Sequence, residues 1–165
     1  MIEFIKPQER YIKSYWETFD TICKEKIYLS ATNPFPLDST IEFVKSAIEK
    51  NIPLLFVIDT AIDRCVGWCD AMPKTDEIGY LGTGLLSEYR ERGIGKKLID
   101  EVISLSRDYG FQHIELDVRS SNKRAIHVYE KLGFHVVNIV KDGFDFLGNT
   151  ITEDVVQMKL DLSAK

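Results

Sequence analysis

The segment Arg90-Glu91-Arg92-Gly93-Ile94-Gly95-Lys96 is where residue types and spacing in this chain point most directly to chemistry. It joins a glycine-bearing apolar run, Tyr80 to Leu86, to a long stretch of helical periodicity. A helix start exposes unpaired N–H groups and the positive end of the macrodipole, so a phosphate placed there meets donors and favourable charge together. Gly93 and Gly95 let such a group approach the main chain. Arg90, Arg92 and Lys96 stand where the dipole disfavours cations, which makes sense if an anion sits among them. Two familiar phosphate loops fail on the letters. The dinucleotide fingerprint needs a third glycine, but Leu98 follows Gly93 and Gly95, and Ser87 follows Gly82 and Gly84. The Walker pattern would need Ser or Thr at Lys97 and glycine at Arg90. The plainer alternative is a turn into a helix with a solvated basic end.

The elements that must position this segment can be read from periodicity. Ile2 to Ile5 predicts a strand closed by Pro7, and Gln8 to Lys26 carries Tyr11, Ile12, Tyr15, Trp16, Phe19 and Ile22 at helical spacing. Asn33-Pro34-Phe35-Pro36 breaks the chain, and Asp38 or Ser39 then caps a helix presenting Ile41, Val44, Ala47 and Ile48. Leu54 to Ile58 and Cys65 to Ala71 predict a hairpin of buried strands, and Ile78 to Leu86 a third strand interrupted by Gly79, Gly82 and Gly84. Glycines inside a strand mark a bulge or the close approach of another backbone or a ligand. Gly93 to Tyr109 is the strongest helix, stopped by Gly110. Ile114 to Val118, Phe134 to Val140 and Val155 to Leu162 predict strands, with a helix from Asn122 to Leu132 stopped by Gly133. The alternation implies a mixed α/β sheet flanked by helices.

Composition narrows the class. The 165 residues suit one domain, 1–165, able to bury roughly two thirds of its unfolded surface without disulfides or a metal. The start lacks the basic and apolar regions of a secretory signal, and no apolar run reaches the ~18 residues of a membrane span, so the expectation is a soluble cytoplasmic protein with no membrane partner. Cys23, Cys65 and Cys69 form neither a disulfide framework nor a zinc pattern, and no metal is expected. A net charge of -5 argues against nucleic acid and for a cationic or amine-bearing partner.

The string from Gly82 to Leu98 resembles motif A of the GNAT superfamily of N-acetyltransferases, which holds the acetyl-CoA pyrophosphate. The run from Leu116 through Asn122, Ala125 and Tyr129 to Phe134 is similar to motif B of the same family. Together they cover Ile78 to Phe134, about half the chain. The resemblance implies a mixed, mostly antiparallel central sheet of about six to seven strands flanked by helices, with a splayed pair of strands holding the cofactor. It implies an enzyme that transfers acetyl from acetyl-CoA to a primary amine, on a small molecule or a peptide N-terminus, by direct attack in a ternary complex. It also admits a homodimer paired through C-terminal strands. Leu85 and Leu86 would meet the pantetheine. Glu91, Gly93, Ile94 and Gly95 would offer amides to the pyrophosphate, with Arg90, Arg92 and Lys96 adding charge. Asn122, a good helix cap in its own right, and Ala125 would touch the cofactor arm.

Aminolysis of a thioester needs a neutral amine, a stabilised oxyanion and a proton for the departing thiolate. Tyr129 matches the family tyrosine near the cofactor sulfur and is the first choice for general acid; otherwise it is a core aromatic beside Ile126 and Leu132. Asp117 matches a carboxylate proposed as base in the branch that acetylates protein N-termini, yet it could simply pair with Arg119 or Lys123. Glu77 could act through a water or be a solvated strand end. Many family members carry glutamate where this chain has Tyr80, which leaves the base open. His113, His127 and His135 suit structural roles, and Cys69 lacks a histidine at any recognisable spacing for a ping-pong route. The N-terminal helices and the Asp142 to Asp154 segment are expected to form the acceptor pocket, and the acidic residues Asp142, Asp145, Glu153 and Asp154 suggest a cationic amine. A non-catalytic acyl-CoA sensor and a regulatory domain for another nucleotide are the competing readings.

Overall fold

The computed structural model describes residues 1–25, 35–146 and 151–163. Strand β1 (Ile2–Ile5) leads through one 3-10 turn (Glu9–Tyr11) into helix α1 (Ile12–Glu25), and helix α2 spans Leu37–Glu49. Strands β2 (Leu54–Asp59), β3 (Arg64–Pro73) and β4 (Ile78–Leu85) precede helix α3 (Ile94–Tyr109). Strand β5 (His113–Arg119), helix α4 (Lys123–Lys131) and strands β6 (His135–Phe146) and β7 (Ile151–Asp161) complete the order. Lys26, Asn33 and Pro34 lie outside the described residues, as does the side chain of Asp145.

These elements form a seven-stranded sheet in the order β1-β2-β3-β4-β5-β7-β6. Every pairing is antiparallel except β4 with β5. That mixed, mostly antiparallel sheet is the architecture the motifs imply. Its two faces explain the unbroken apolar run at β2, because alternate residues serve different cores. Leu55 and Val57 pack with Leu98, Val102, Ile114, Leu116 and Met158 under α3. Leu54, Phe56 and Ile58 pack with Ile22, Val44 and Trp68 under α1 and α2. The α3 stripe read from sequence is the buried one, with Leu98, Ile99, Val102 and Ile103 inside, and Gly110 ends the helix at φ +111°.

Two local expectations change. Helix α2 begins after Pro36, without a side-chain cap, because the Pro36 carbonyl accepts both the Thr40 amide and hydroxyl; Asp38 sits instead in the first turn, where it suits the dipole. Strand β6 runs past Val140 to Phe146 rather than stopping. The register slips between Val140 and Phe144, with Asp142 at φ +49°, so a bulge absorbs the polar residues and the ladder resumes.

Candidate active site

The one parallel pairing decides the geometry of the sheet centre. β4 and β5 pair only over Ile78, Gly79 and Tyr80 against His113, Ile114 and Glu115. Beyond that point each strand stays bonded to its outer neighbour, β4 to β3 through Leu85 and β5 to β7 through Arg119. A wedge therefore opens between Gly82–Leu85 and Leu116–Arg119. It leads to the start of α3, where Gly93 caps the helix at φ +76° with no side-chain partner. Among the described residues, a Cβ added at Gly93 or Gly95 would meet nothing within 4 Å, so the first turn of α3 faces open space there. A main-chain anion site needs that approach.

The strand glycines have a different cause from the close ligand approach that their positions suggested. A side chain at Gly84 would run into the Trp68 ring, and one at Gly79 would lie 2.8 Å from the Phe111 ring. These glycines seat aromatic side chains. Gly82 faces the Asp70 carboxylate, 3.4 Å from an added Cβ.

Around the α3 turn the nominated residues divide by role. Arg90 is tied inward, its Nε donating to the Leu85 carbonyl at 2.8 Å and its Nη2 to Glu25 at 3.0 Å. It braces the loop against β4 and α1 instead of standing open beside Gly93. Glu91, at φ +63°, pairs with Arg124 of α4 at 3.1 Å. Arg92 lies over the Tyr89 ring, and Tyr89 anchors the loop by donating to Asp59 at 2.7 Å. Lys96 is exposed at the same end. Leu86 has its backbone committed, its amide donating to Val66 O and its carbonyl accepting from Tyr89 N, so only its half-buried side chain is left for a cofactor.

Asn122 caps α4, its Oδ1 accepting from the Ala125 amide at 3.2 Å. Tyr129, about two turns further on, is buried against Phe134. Burial, with Cys69 and Tyr80 as neighbours, pushes its phenol far above the ordinary value, so it stays protonated at any working pH. Asp117 lies on the exposed side of β5, with Leu116 and Val118 buried. Its partners are the Tyr80 hydroxyl and, at 3.3 Å, Gln157 Nε2, rather than the nearby cations. Burial and then Asp117 raise the Tyr80 phenol to about 12.

Glu77 does not join this group. It sits at the closed end of the wedge, where its carbonyl accepts the Gln112 and His113 amides and its carboxylate accepts Gln112 Nε2 at 3.3 Å. Eight residues of extended chain put it about 26 Å from Leu85. The acidic C-terminal residues are also engaged: Asp142 accepts from Thr152, Asp154 from the Asp142 amide, and Glu153 from the Ser121 amide. They shape the β6–β7 hairpin.

The N-terminal helices, where the sequence puts the acceptor pocket, do border a cavity: about 490 Å³ lie on the other face, between α1, α2 and the β3–β4 pair. Five aromatic rings line it, those of Tyr15, Phe19, Phe35, Phe43 and Trp68, together with Ser39, Thr40 and Thr83. Phe19 bridges Phe35 and Trp68, with ring centroids 6.0 and 5.2 Å apart. Among the described residues the one carboxylate in the lining is Asp70, which is only 8% exposed and which the sequence does not single out. Burial raises it to about 7 against hydrogen bonds from the Gly82 amide and Trp68. The available signal was its place in the alternation of β3, which turns Trp68, Asp70 and Met72 to one face. Among the described residues, no group of His, Cys, Asp and Glu could hold a metal, and no helix is long and apolar enough to cross a membrane.

The wedge, the open helix start and the helix-borne phenol define a class, and comparison with known proteins agrees. Residues 13–134 match the model of the acetyltransferase (GNAT) family. The chain belongs to that family, and it is an acetyl-CoA-dependent acetyltransferase with acetyl-CoA as cosubstrate. It is 29% identical over 111 residues to N-alpha-acetyltransferase 50 of Danio rerio, a match covering 66% of each chain. It is 29% identical over 104 residues to the ribosomal protein bS18-alanine N-acetyltransferase of Salmonella typhimurium, covering 63% of this chain and 69% of that protein. Its fold superimposes with a TM-score of 0.87 on a phosphinothricin acetyltransferase from Sinorhizobium meliloti in complex with AcCoA, at 16% identity over 97% of this chain and 88% of that one.

Proposed function

We propose that this enzyme acetylates a primary amine by direct attack on acetyl-CoA in a ternary complex. The observation that carries this reading is the β4–β5 wedge opening onto the glycine-lined start of α3. Amides of the 91–96 turn are suited to hold the pyrophosphate, with Lys96 and Arg92 adding charge. Wedge-facing main chain along Gly82–Leu85, apart from the Leu85 carbonyl that Arg90 already holds, is suited to pair with the pantetheine amides and to polarise the thioester carbonyl. Asn122 and Ala125 at the start of α4 would border the cofactor arm.

In the forward reaction the amine nitrogen attacks the carbonyl carbon, the C–S bond breaks, and the sulfur leaves with the electron pair. Tyr129 would hold its proton toward that sulfur. Full transfer from so raised a phenol to a thiolate of pKa about 8.5 is uphill, so a strong hydrogen bond that lets the proton follow late is the better description. Asp117, held by Tyr80 and Gln157, is the carboxylate nearest the mouth of the wedge among those nominated from sequence. The α1–α2 cavity reaches Gly82 and Thr83 from the opposite face and is where an acceptor would enter.

Buried, unpaired Cys23, Cys65 and Cys69 suit a reducing compartment such as the cytoplasm. Exposed Val136, Val137 and Ile139 on the sheet-edge strand β6 suit pairing with a second copy. The catalytic reading is tested by following CoA release over a panel of amines and peptides, with calorimetry of acetyl-CoA binding alongside. Turnover with at least one amine is expected; binding without turnover across the panel would point to an acyl-CoA-binding module instead.

A further inference from the structure

We infer that the α1–α2 cavity takes a primary amine carried on a bulky apolar group, and that Asp70 receives the ammonium and accepts its proton. The inference rests on the acetyl-transfer reading and adds to it the acceptor class and the base.

The lining decides the class. Among the described residues, five aromatic rings surround a single carboxylate, and no lysine or arginine lines the cavity. A volume of about 490 Å³ falls within the range of small-molecule sites, roughly 300–1,000 Å³. Aromatic faces attract an organic cation and also cover apolar surface. One buried carboxylate balances one positive charge. A linear polyamine would bring further charges into a ring-lined space where the described residues supply no second carboxylate, and burying an unpaired charge is costly. A compact amine with an aromatic or large aliphatic body meets both features.

Position decides the base. Asp70 stands opposite Gly82 in the β3–β4 register. Continuing the β4–β5 count from Tyr80 and Glu115 brings Asp117 level with Gly82 on the other side. The two carboxylates thus flank the same glycine, and they differ in environment. Asp117 is exposed and shared between Tyr80 and Gln157. Asp70 is buried and lines the cavity, with the Gly82 main chain between it and the wedge. The titratable group facing it from α1 is Tyr15, whose phenol burial and Asp70 hold protonated. Cys69, next along β3, is likewise kept as a thiol by burial. From α2 the cavity presents Ser39, Thr40 and Phe43, and from β4 Gly82 and Thr83.

The protons balance as follows. The ammonium gives one proton to the Asp70 carboxylate and becomes the neutral nucleophile. Attack forms the C–N bond and breaks the C–S bond, and the nitrogen's second proton ends on the departing sulfur, directly or in exchange for the Tyr129 proton, so that CoA leaves as the thiol and Tyr129 stays a phenol. Asp70 returns its proton to water.

The test compares 2-phenylethylamine, a short peptide with N-terminal phenylalanine, and spermidine as acceptors for the full-length protein, following CoA release against pH. The two apolar amines should exceed spermidine at least tenfold in kcat/KM, and whichever of them is favoured identifies a small-molecule or a peptide source. For the better one, kcat/KM should climb with pH through about 7 and level off. Asp70→Asn should lower kcat/KM at least a hundredfold and abolish that limb, while acetyl-CoA binding by calorimetry stays within twofold. Ser39→Trp, at the exposed rim, should raise the acceptor KM tenfold with the fold and acetyl-CoA affinity intact, which covers the event that Asp70→Asn fails to fold. Preference for spermidine overturns the acceptor class alone. Undiminished kcat/KM in Asp70→Asn, or an unchanged KM in Ser39→Trp, overturns the role of the residue or the cavity. CoA release with none of the amines overturns the transfer reading together with this one.

Discussion

On the wedge side of β4 the candidate site is built from main chain, and on the cavity side it is built from side chains. The first uses a helix start, glycines with open space above them, and a strand that parts from β5 after Tyr80. The second uses rings from α1, α2 and β3 around one buried acid. A diphosphate and a pantetheine arm are the same in every acetyl-CoA, so backbone donors in a fixed loop suffice to hold them. Acceptors differ, and a surface of interchangeable side chains is what can be altered to suit one. The contrast separates a conserved task from a variable one on physical grounds.

The comparison can be broken most directly at Tyr129. Replacement by Phe keeps the packing against Phe134 and removes the hydroxyl, so kcat should fall about 10²- to 10³-fold with acetyl-CoA affinity unchanged; a loss of less than threefold would reduce the phenol to a core aromatic. Next in size is Gly95→Asp. Its new side chain has room and sits favourably in the first turn of α3, so the melting temperature should hold or rise, yet a carboxylate beside the diphosphate should weaken acetyl-CoA about 100-fold, or about 2.7 kcal/mol by calorimetry. Unchanged affinity would move the phosphate site elsewhere.

On the side-chain face, Gly84→Ala forces a methyl into the Trp68 ring and should cost about 1–3 kcal/mol in urea unfolding. The smallest effect is at Asp70, and its sign is specific. The folded carboxyl, raised to about 7, binds its proton more tightly than the unfolded one, so the stability linked to it is fully present below about pH 4 and lost as pH rises through about 7. Ionised, it costs at most about 4 kcal/mol, which the bonds from Gly82 and Trp68 partly offset. Asp70→Asn should therefore gain about 1 kcal/mol over the parent at about pH 8 and show no advantage at about pH 4. An advantage that grew toward acid would mean that the carboxyl is not raised.

The same division explains what could be read in advance. The α3 stripe, the glycine turn and the Asn122 cap are local patterns, and each stands where its letters put it. The seven-strand sheet and its splay came with the resemblance carried by Gly82 to Phe134, a contiguous stretch. Asp70 was hidden because the cavity is assembled from α1, α2, β3 and β4, and nothing near it in the chain marks its burial. Glu77 looked suitable because it lies close to the glycine strand in sequence, whereas extended chain carries it to the far end. Arg90 read as a phosphate ligand by its neighbours, but Glu25, distant in sequence, claims its guanidinium. The strand glycines were legible as exceptions; that they accommodate Trp68 and Phe111 required the packing partners to be known.

The three-residue pairing of β4 with β5 also leaves this sheet with two rims in its interior. A rim of free amides and carbonyls invites any extended chain to add itself. Without its thioester the molecule thus offers neighbouring copies a docking groove at its centre, and filling that groove removes the invitation. Storage with cosubstrate should keep the protein dispersed at concentrations where the bare chain clumps.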